Sequence, residues 1–169
     1  MKKAQFLILG IMSWLNTEIA SAEFFVNNGL CLSVDQRQFP NPVMVETCIP
    51  EWSNQKWGVE KTTGTQIINA GTQLCLDVHP SQGLIVATPC DEEKFYALQP
   101  GQLPTQKWQI VTVATDRQIG SPPVKIRSKM DPQLCITIAP ALGPTGWGKY
   151  VRLMPCMPDN LYQLWRIIY

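Results

Sequence analysis

Apolar positions along this chain come in short runs, and none of them keeps the 3.6-residue spacing of an amphipathic helix. Gln66-Ile67-Ile68-Asn69, Leu84-Ile85-Val86-Ala87, Trp108-Gln109-Ile110-Val111 and Trp165-Arg166-Ile167-Ile168 all have the length of a strand. Gly, Pro, Asn and Asp separate such runs, and there are 14 prolines among the 169 residues. Strand-sized runs punctuated by turn residues predict an all-β protein, a barrel or a sandwich.

The runs also recur in phase. Cys31-Leu32-Ser33-Val34, Cys75-Leu76-Asp77-Val78 and Cys135-Ile136-Thr137-Ile138 each open with a cysteine, and a second cysteine follows 17, 15 and 21 residues later, at Cys48, Cys90 and Cys156. Each segment closes on Gln-x-Trp: Gln55-Lys56-Trp57, Gln106-Lys107-Trp108 and Gln163-Leu164-Trp165. One copy cannot bury its apolar face alone, so three copies predict a closed threefold barrel with about four strands from each. The copies span about 24–61, 63–113 and 123–169. One Trp per copy fills a shared core with large area, and the Gln amide satisfies backbone groups of the adjoining turn.

The N-terminus reads differently. Lys2-Lys3, the apolar run from Phe6 to Met12 extended by Trp14 and Leu15, and the small residues Ala20-Ser21-Ala22 have the layout of a secretory signal peptide. The run is shorter than the roughly 20 residues of a membrane span. The expected division is a signal peptide over 1–22 and a single domain over 23–169, placed outside the cytoplasm, either secreted or periplasmic. Removing Lys2, Lys3 and Glu18 leaves 12 basic and 12 acidic residues, without the basic stripe that nucleic acid would need. In an oxidising compartment the six cysteines read as disulfides, and the repeat favours Cys31–Cys48, Cys75–Cys90 and Cys135–Cys156. No cysteine pair has zinc spacing and His79 is the only histidine, so no metal or cofactor is expected.

Three phased copies of Cys-Leu-Asp-Val-like runs, paired cysteines and Gln-x-Trp resemble a ricin-type β-trefoil lectin domain over essentially all of residues 23–169. The resemblance implies a carbohydrate-binding module with up to three shallow sugar pockets, one per repeat. Each pocket wants an Asp two residues after the first cysteine, an aromatic two residues before the second, and a polar residue before the Gln. A pyranose presents paired hydroxyls and one C–H face, which suit a carboxylate and a ring. Repeat one has Ser33, Glu46 and Asn54 at these places, repeat two has Asp77, Thr88 and Thr105, and repeat three has Thr137, Met154 and Tyr162. Asp77 is the one family carboxylate in place.

The candidate sugar contacts are therefore Asp77, Thr105, Gln106 and His79, joined by Phe95 and Tyr96. Those two rings sit in a segment where 16 residues separate the second cysteine from the Gln, against 7 in the other copies. The enlarged loop either folds over the Asp77 pocket or packs on the barrel. Asn54, Gln55, Trp52 and Trp147 are secondary sugar or partner contacts, the two tryptophans because loop rings left in solvent mark binding surfaces. Asp35, four residues after Cys31, either substitutes for the missing carboxylate or serves a turn.

Nothing in the chain suggests catalysis: Gly-x-Ser-x-Gly, His-Glu-x-x-His and a phosphate loop are all missing, and disulfides claim every thiol. A lectin recognising glycans or a glycosylated receptor is the leading expectation. Its alternative is a protein-binding subunit with eroded sugar pockets. The cell-binding subunits of bacterial toxins such as cytolethal distending toxin resemble that description, and Val124-Lys125-Ile126-Arg127-Ser128 is similar to a phrase in them. The partner would then be a catalytic toxin subunit.

Overall fold

Each repeat yields four strands, because each holds four apolar runs too short to bury themselves in any other form. The computed structural model describes residues 23–38, 40–60, 66–79, 81–90, 105–114, 120–142 and 148–169, with 141 and 142 described by backbone alone. Repeat one forms β1 (Phe24–Asn27), β2 (Leu30–Val34), β3 (Asn41–Thr47) and β4 (Trp57–Glu60). Repeat two forms β5 (Gln66–Asn69), β6 (Leu74–Val78), β7 (Ile85–Pro89) and β8 (Trp108–Thr112). Repeat three forms β9 (Val124–Ser128), β10 (Leu134–Leu142), β11 (Lys149–Pro155) and β12 (Arg166–Ile168). Among the described residues the helical elements are two 3-10 turns, Ser53–Gln55 and Leu161–Gln163, and no helix is long and apolar enough to cross a membrane.

The first and last strands of the repeats build the barrel. β1 pairs antiparallel with β12 (Phe24 opposite Ile168), β4 with β5 (Trp57 opposite Asn69) and β8 with β9 (Trp108 opposite Ser128). Bridges from Glu23 to Trp57 and from Val124 to Trp165 close repeats one and three on themselves, joining the start of each repeat to its Gln-x-Trp tryptophan. The middle strands form three hairpins, β2–β3, β6–β7 and β10–β11. These meet one another: β3 pairs with β7 and with β11, and Leu153 N–H donates to Gly83 C=O at 2.8 Å to join the β7 and β11 sides. A barrel capped by a hairpin triplet is the β-trefoil. Asn28 and Gly29 turn β1 into β2 with φ of 48° and 77°, the paired positive φ that a tight two-residue hairpin turn requires.

Trp57, Trp108 and Trp165 are fully buried, and each indole N–H reaches the same place in its own repeat. Trp57 donates to Leu32 C=O at 2.9 Å, Trp108 to Leu76 C=O at 2.9 Å and Trp165 to Ile136 C=O at 3.2 Å. Large apolar area and a satisfied polar tip are thus combined in one residue. Around them pack Phe25, Leu32, Ile67, Leu76, Ile126 and Ile136. The glutamine of each phrase clamps the turn at the second cysteine. Its amide donates to Thr47, Pro89 or Pro155 C=O (2.9, 3.0 and 2.8 Å), and Gln55 and Gln163 also accept from Ile49 and Met157 N–H, both at 2.8 Å.

The three disulfides join Cys31 to Cys48, Cys75 to Cys90 and Cys135 to Cys156, one within each repeat as the phasing predicts. Loops of 15 to 21 residues are worth about 3 kcal/mol each in the chain-entropy view.

Candidate functional site

Asp77 lies on β6, buried, with its carboxylate already engaged. Oδ2 accepts from the Thr88 hydroxyl at 2.7 Å and from the Gln106 amide at 3.1 Å, and Oδ1 accepts from Val78 N–H at 2.7 Å. Gln106 also donates to Thr88 Oγ1 at 2.9 Å and accepts from the Gln66 amide at 3.3 Å. An ionised carboxylate offers about four acceptor positions, so three internal donors leave about one for a ligand hydroxyl. Thr88, at the position where the family pattern wants a ring, supplies the donor that occupies Asp77. Thr105 is half-buried beside Gln106. His79 closes the β6–β7 turn, its N–H donating to Leu84 C=O at 2.8 Å, and its Nδ1 lies 3.2 Å from Ser81 Oγ. The structure thus brings together Asp77, Thr88 and Gln106. Phe95, Tyr96 and Trp147 lie outside the described residues.

Repeat three shows the same substitution of internal bonds for ligand capacity. Thr137 Oγ1 donates to Cys135 C=O at 3.0 Å and accepts from Gln163 at 3.0 Å. Met154 and Tyr162, at the ring and polar positions, are exposed together with Met157 and Leu161. Nearby, the buried Lys125 ammonium donates to Met157 C=O at 2.6 Å and Pro158 C=O at 3.3 Å. Burial, and then the neighbouring Arg127, push its pKa below the ordinary lysine value, with Asp159 opposing.

Repeat one is built otherwise. A cleft of about 420 Å³ opens there, lined by Val34, Asp35, Arg37, Glu46, Trp52 and Asn54 among others. Asn54 forms the floor: its amide donates to Ser33 Oγ at 3.1 Å and Val34 C=O at 3.2 Å. Ser33, where the family carboxylate would sit, is buried beneath it as an acceptor. Asn54 belongs to the 3-10 turn Ser53–Gln55, which Gln55 clamps from within and repeat two holds from outside. Asn69 donates to Asn54 C=O at 2.8 Å, and Gly71 N–H donates to Ser53 C=O at 3.1 Å. Gly71 approaches so closely that an added Cβ would lie 2.6 Å from Ser53 Oγ and 2.8 Å from Ser53 C.

Trp52 supplies the ring. Its N–H donates to Ile49 C=O at 3.0 Å and its C=O accepts from Gln55 N–H at 3.2 Å, so the backbone is fixed on both sides while 45% of the residue stays in solvent. Opposite stands a bidentate pair: Asp35 Oδ1 accepts from Arg37 Nε at 2.7 Å and Oδ2 from Nη2 at 3.0 Å, with Arg37 N–H closing an Asx turn on Oδ1 at 3.0 Å. Hydrogen bonding from the Arg37 guanidinium holds the Asp35 carboxyl below the usual carboxylate range, and Asp35 in turn raises Arg37. Asp35 is therefore a turn residue and a buried carboxylate at once. Burial pushes Glu46 above the usual range, offset by Arg37.

Of the residues singled out from sequence, the structure brings Trp52, Asn54 and Asp35 to one cleft and places Gln55 under it. Arg37 and Glu46 are walls that sequence reasoning missed as contacts. The Asp-x-Arg spacing after β2 was a usable signal for the first. For the second, Glu46 counted only as a lost aromatic, while the ring arrives from Trp52, two residues before Asn54.

The threefold fold and the family it belongs to make this a lectin-type, carbohydrate-binding module. The profile of the ricin-type beta-trefoil lectin domain matches residues 15–108, more than half of the chain, which therefore belongs to that family. No curated protein matches it by sequence. Among solved structures it is similar to the designed threefold-symmetric protein ThreeFoil (16% identity, TM-score 0.64, covering 88% of this chain and 98% of that one). It is similar to the ricin B-like lectin of Macrolepiota procera, solved with lactose (16% identity, TM-score 0.64, covering 87% and 94%). A chain of the Haemophilus ducreyi cytolethal distending toxin is also similar (18% identity, TM-score 0.63, covering 91% and 86%). At these identities the likeness is one of fold.

Proposed function

We propose that this chain is a secreted, non-catalytic lectin that recognises cell-surface glycans or glycosylated receptors, and that its main sugar contact is the repeat-one cleft. The observation that carries this reading is the half-exposed Trp52 ring beside the Asn54 floor. A pyranose stacks its C–H face on the indole, while the Glu46 carboxylate and the outer N–H groups of Arg37 meet its hydroxyls. The set of Asp77, Thr105, Gln106 and His79 offers a second, weaker place, through the acceptor capacity that Thr88 and Gln106 leave on Asp77. Removal of residues 1–22 as a signal peptide would deliver the chain to the oxidising compartment that its three disulfides suit. Calorimetric titration with a panel of simple sugars tests the reading. Trp52→Ala is expected to cost on the order of 2 kcal/mol, about 30-fold in affinity. Binding lost in Asp77→Ala and kept in Trp52→Ala would move the site to repeat two.

A second reading is a protein-binding subunit of a multi-subunit toxin. The exposed Met154, Met157, Leu161 and Tyr162 of repeat three favour it, as does the fold shared with the H. ducreyi toxin chain. Recovery of a catalytic subunit in a pull-down from the source organism would support it; a persistent monomer with clean sugar binding would count against it.

A further inference from the structure

We infer that the repeat-one surface is a two-unit site, taking a neutral glycan of at least two sugars laid across Trp52. The inference rests on the carbohydrate-binding reading above. A second cleft of about 380 Å³ borders the first and shares Glu46 and Trp52 with it. Each cleft alone is at the small end for a ligand site, and the two lie side by side with one ring and one carboxylate between them.

The second cleft differs in chemistry from the first. Leu30 and Ile49 give it an apolar lining, with Thr47 and Lys149 joining the shared Glu46 as its polar groups. It sits on the seam between repeats one and three, where Val45 of β3 pairs with Lys149 of β11. Gly148 makes that seam possible. Its φ is +71°, and a Cβ there would stand 2.7 Å from Val45 C=O and 3.1 Å from Glu46 Cγ. The apolar lining suits the C–H face or acetamido methyl of a second sugar, while the first cleft carries the polar floor. Charge points to a neutral ligand: the two clefts together are lined by two carboxylates, Asp35 and Glu46, and two cations, Arg37 and Lys149, with Asp35 paired to Arg37.

Glu46 joins the two halves. Its carboxylate is partly buried between the clefts, and burial is the main cause that raises its pKa. A desolvated carboxylate gains from hydroxyl donors, and about four acceptor positions let it serve a sugar on each side. Trp52 likewise lines both clefts.

The test is calorimetric titration of the disulfide-bonded chain with galactose, N-acetylglucosamine, lactose and N-acetyllactosamine. The expected result is that N-acetyllactosamine binds about 10-fold tighter or more than the better of galactose and N-acetylglucosamine. Thr47→Arg, at a position whose wild-type side chain is exposed, projects into the second cleft and should bring that ratio down toward one. Trp52→Ala should weaken monosaccharide and disaccharide alike. A ratio near one in the wild type, or a ratio that survives Thr47→Arg, overturns the two-unit site while leaving a sugar-binding protein. Binding of none of the four sugars would overturn the carbohydrate reading and this inference with it.

Discussion

Gln55→Leu separates the role of the Gln-x-Trp glutamines in the fold from their role at the site. Gln55 is fully buried, donates to Thr47 C=O at 2.9 Å and accepts from Ile49 N–H at 2.8 Å. Leucine keeps the apolar bulk and leaves both backbone groups without that partner. An orphaned buried group costs about 1–3 kcal/mol. Thr47 is an exposed residue, where water can replace part of the lost bond, so the expected cost is the lower half of the doubled range, about 2–4 kcal/mol. With a urea m-value of about 2 kcal/mol/M the midpoint should fall by roughly 1–2 M under non-reducing conditions. Gln163→Leu should cost a comparable amount, because Gln163 bonds Pro155 C=O, Met157 N–H and Thr137 Oγ1 in the same way. The two variants should part in binding. Of the two glutamines, only Gln55 holds the turn that carries Trp52 and Asn54, so Gln55→Leu should also weaken sugar binding several-fold, and Gln163→Leu should not. A Gln55→Leu protein as stable as wild type to within about 0.5 kcal/mol would refute the clamp. Equal loss of affinity in both variants would refute the assignment of the site to repeat one.

Three further outcomes follow from the geometry. Gly71→Ala, with its Cβ driven to 2.6 Å from Ser53 Oγ, should displace the 3-10 turn and lower both the melting temperature and sugar affinity. Removing Cys75–Cys90 by paired serine substitutions should cost about 3 kcal/mol in denaturant unfolding. The pH dependence has two opposite parts. Asp35, held below its ordinary value by Arg37, contributes stability that is present above its unfolded pKa and lost as pH falls through the lower folded value. Glu46 is raised by burial, so its contribution is fully present at acidic pH and is lost as pH rises through the folded value. Sugar binding that uses ionised Glu46 should therefore fade on acidification from a pH above the usual carboxylate range. Arg37→Ala should shift the Asp35 part upward in pH, and unfolding measured across the acid range would show it.

Much of the fold was legible because its determinants are local and stated three times. A cysteine opening an apolar run, a second cysteine and Gln-x-Trp each recur in order, so a threefold closed sheet follows from patterning, and the disulfide pairing follows from the phase. The indole and amide of each phrase bond partners within their own repeat, at Leu32, Leu76 and Ile136 and at the turns after β3, β7 and β11. Those contacts stay inside one repeat, so the threefold pattern carries them.

The site was not legible in the same way, because its contacts cross the sequence. Asp77 matches the family position, yet its capacity is decided by Thr88 and by Gln106, 29 residues away. Repeat one lacks the expected Asp and ring, yet the pairing of β2 with β3 sets Asp35 and Glu46 facing a turn that Asn69 and Gly71 of repeat two hold in place. The second cleft depends on Lys149 being paired with Val45 across a repeat boundary. The sequence by itself determined the barrel, its tryptophan core and its three disulfides, since repeated local pattern is sufficient for strand pairing. Which repeat keeps an open cleft with unspent polar groups was decided only by tertiary structure. That outcome turns on which polar groups already satisfy one another after folding and which are left turned toward solvent.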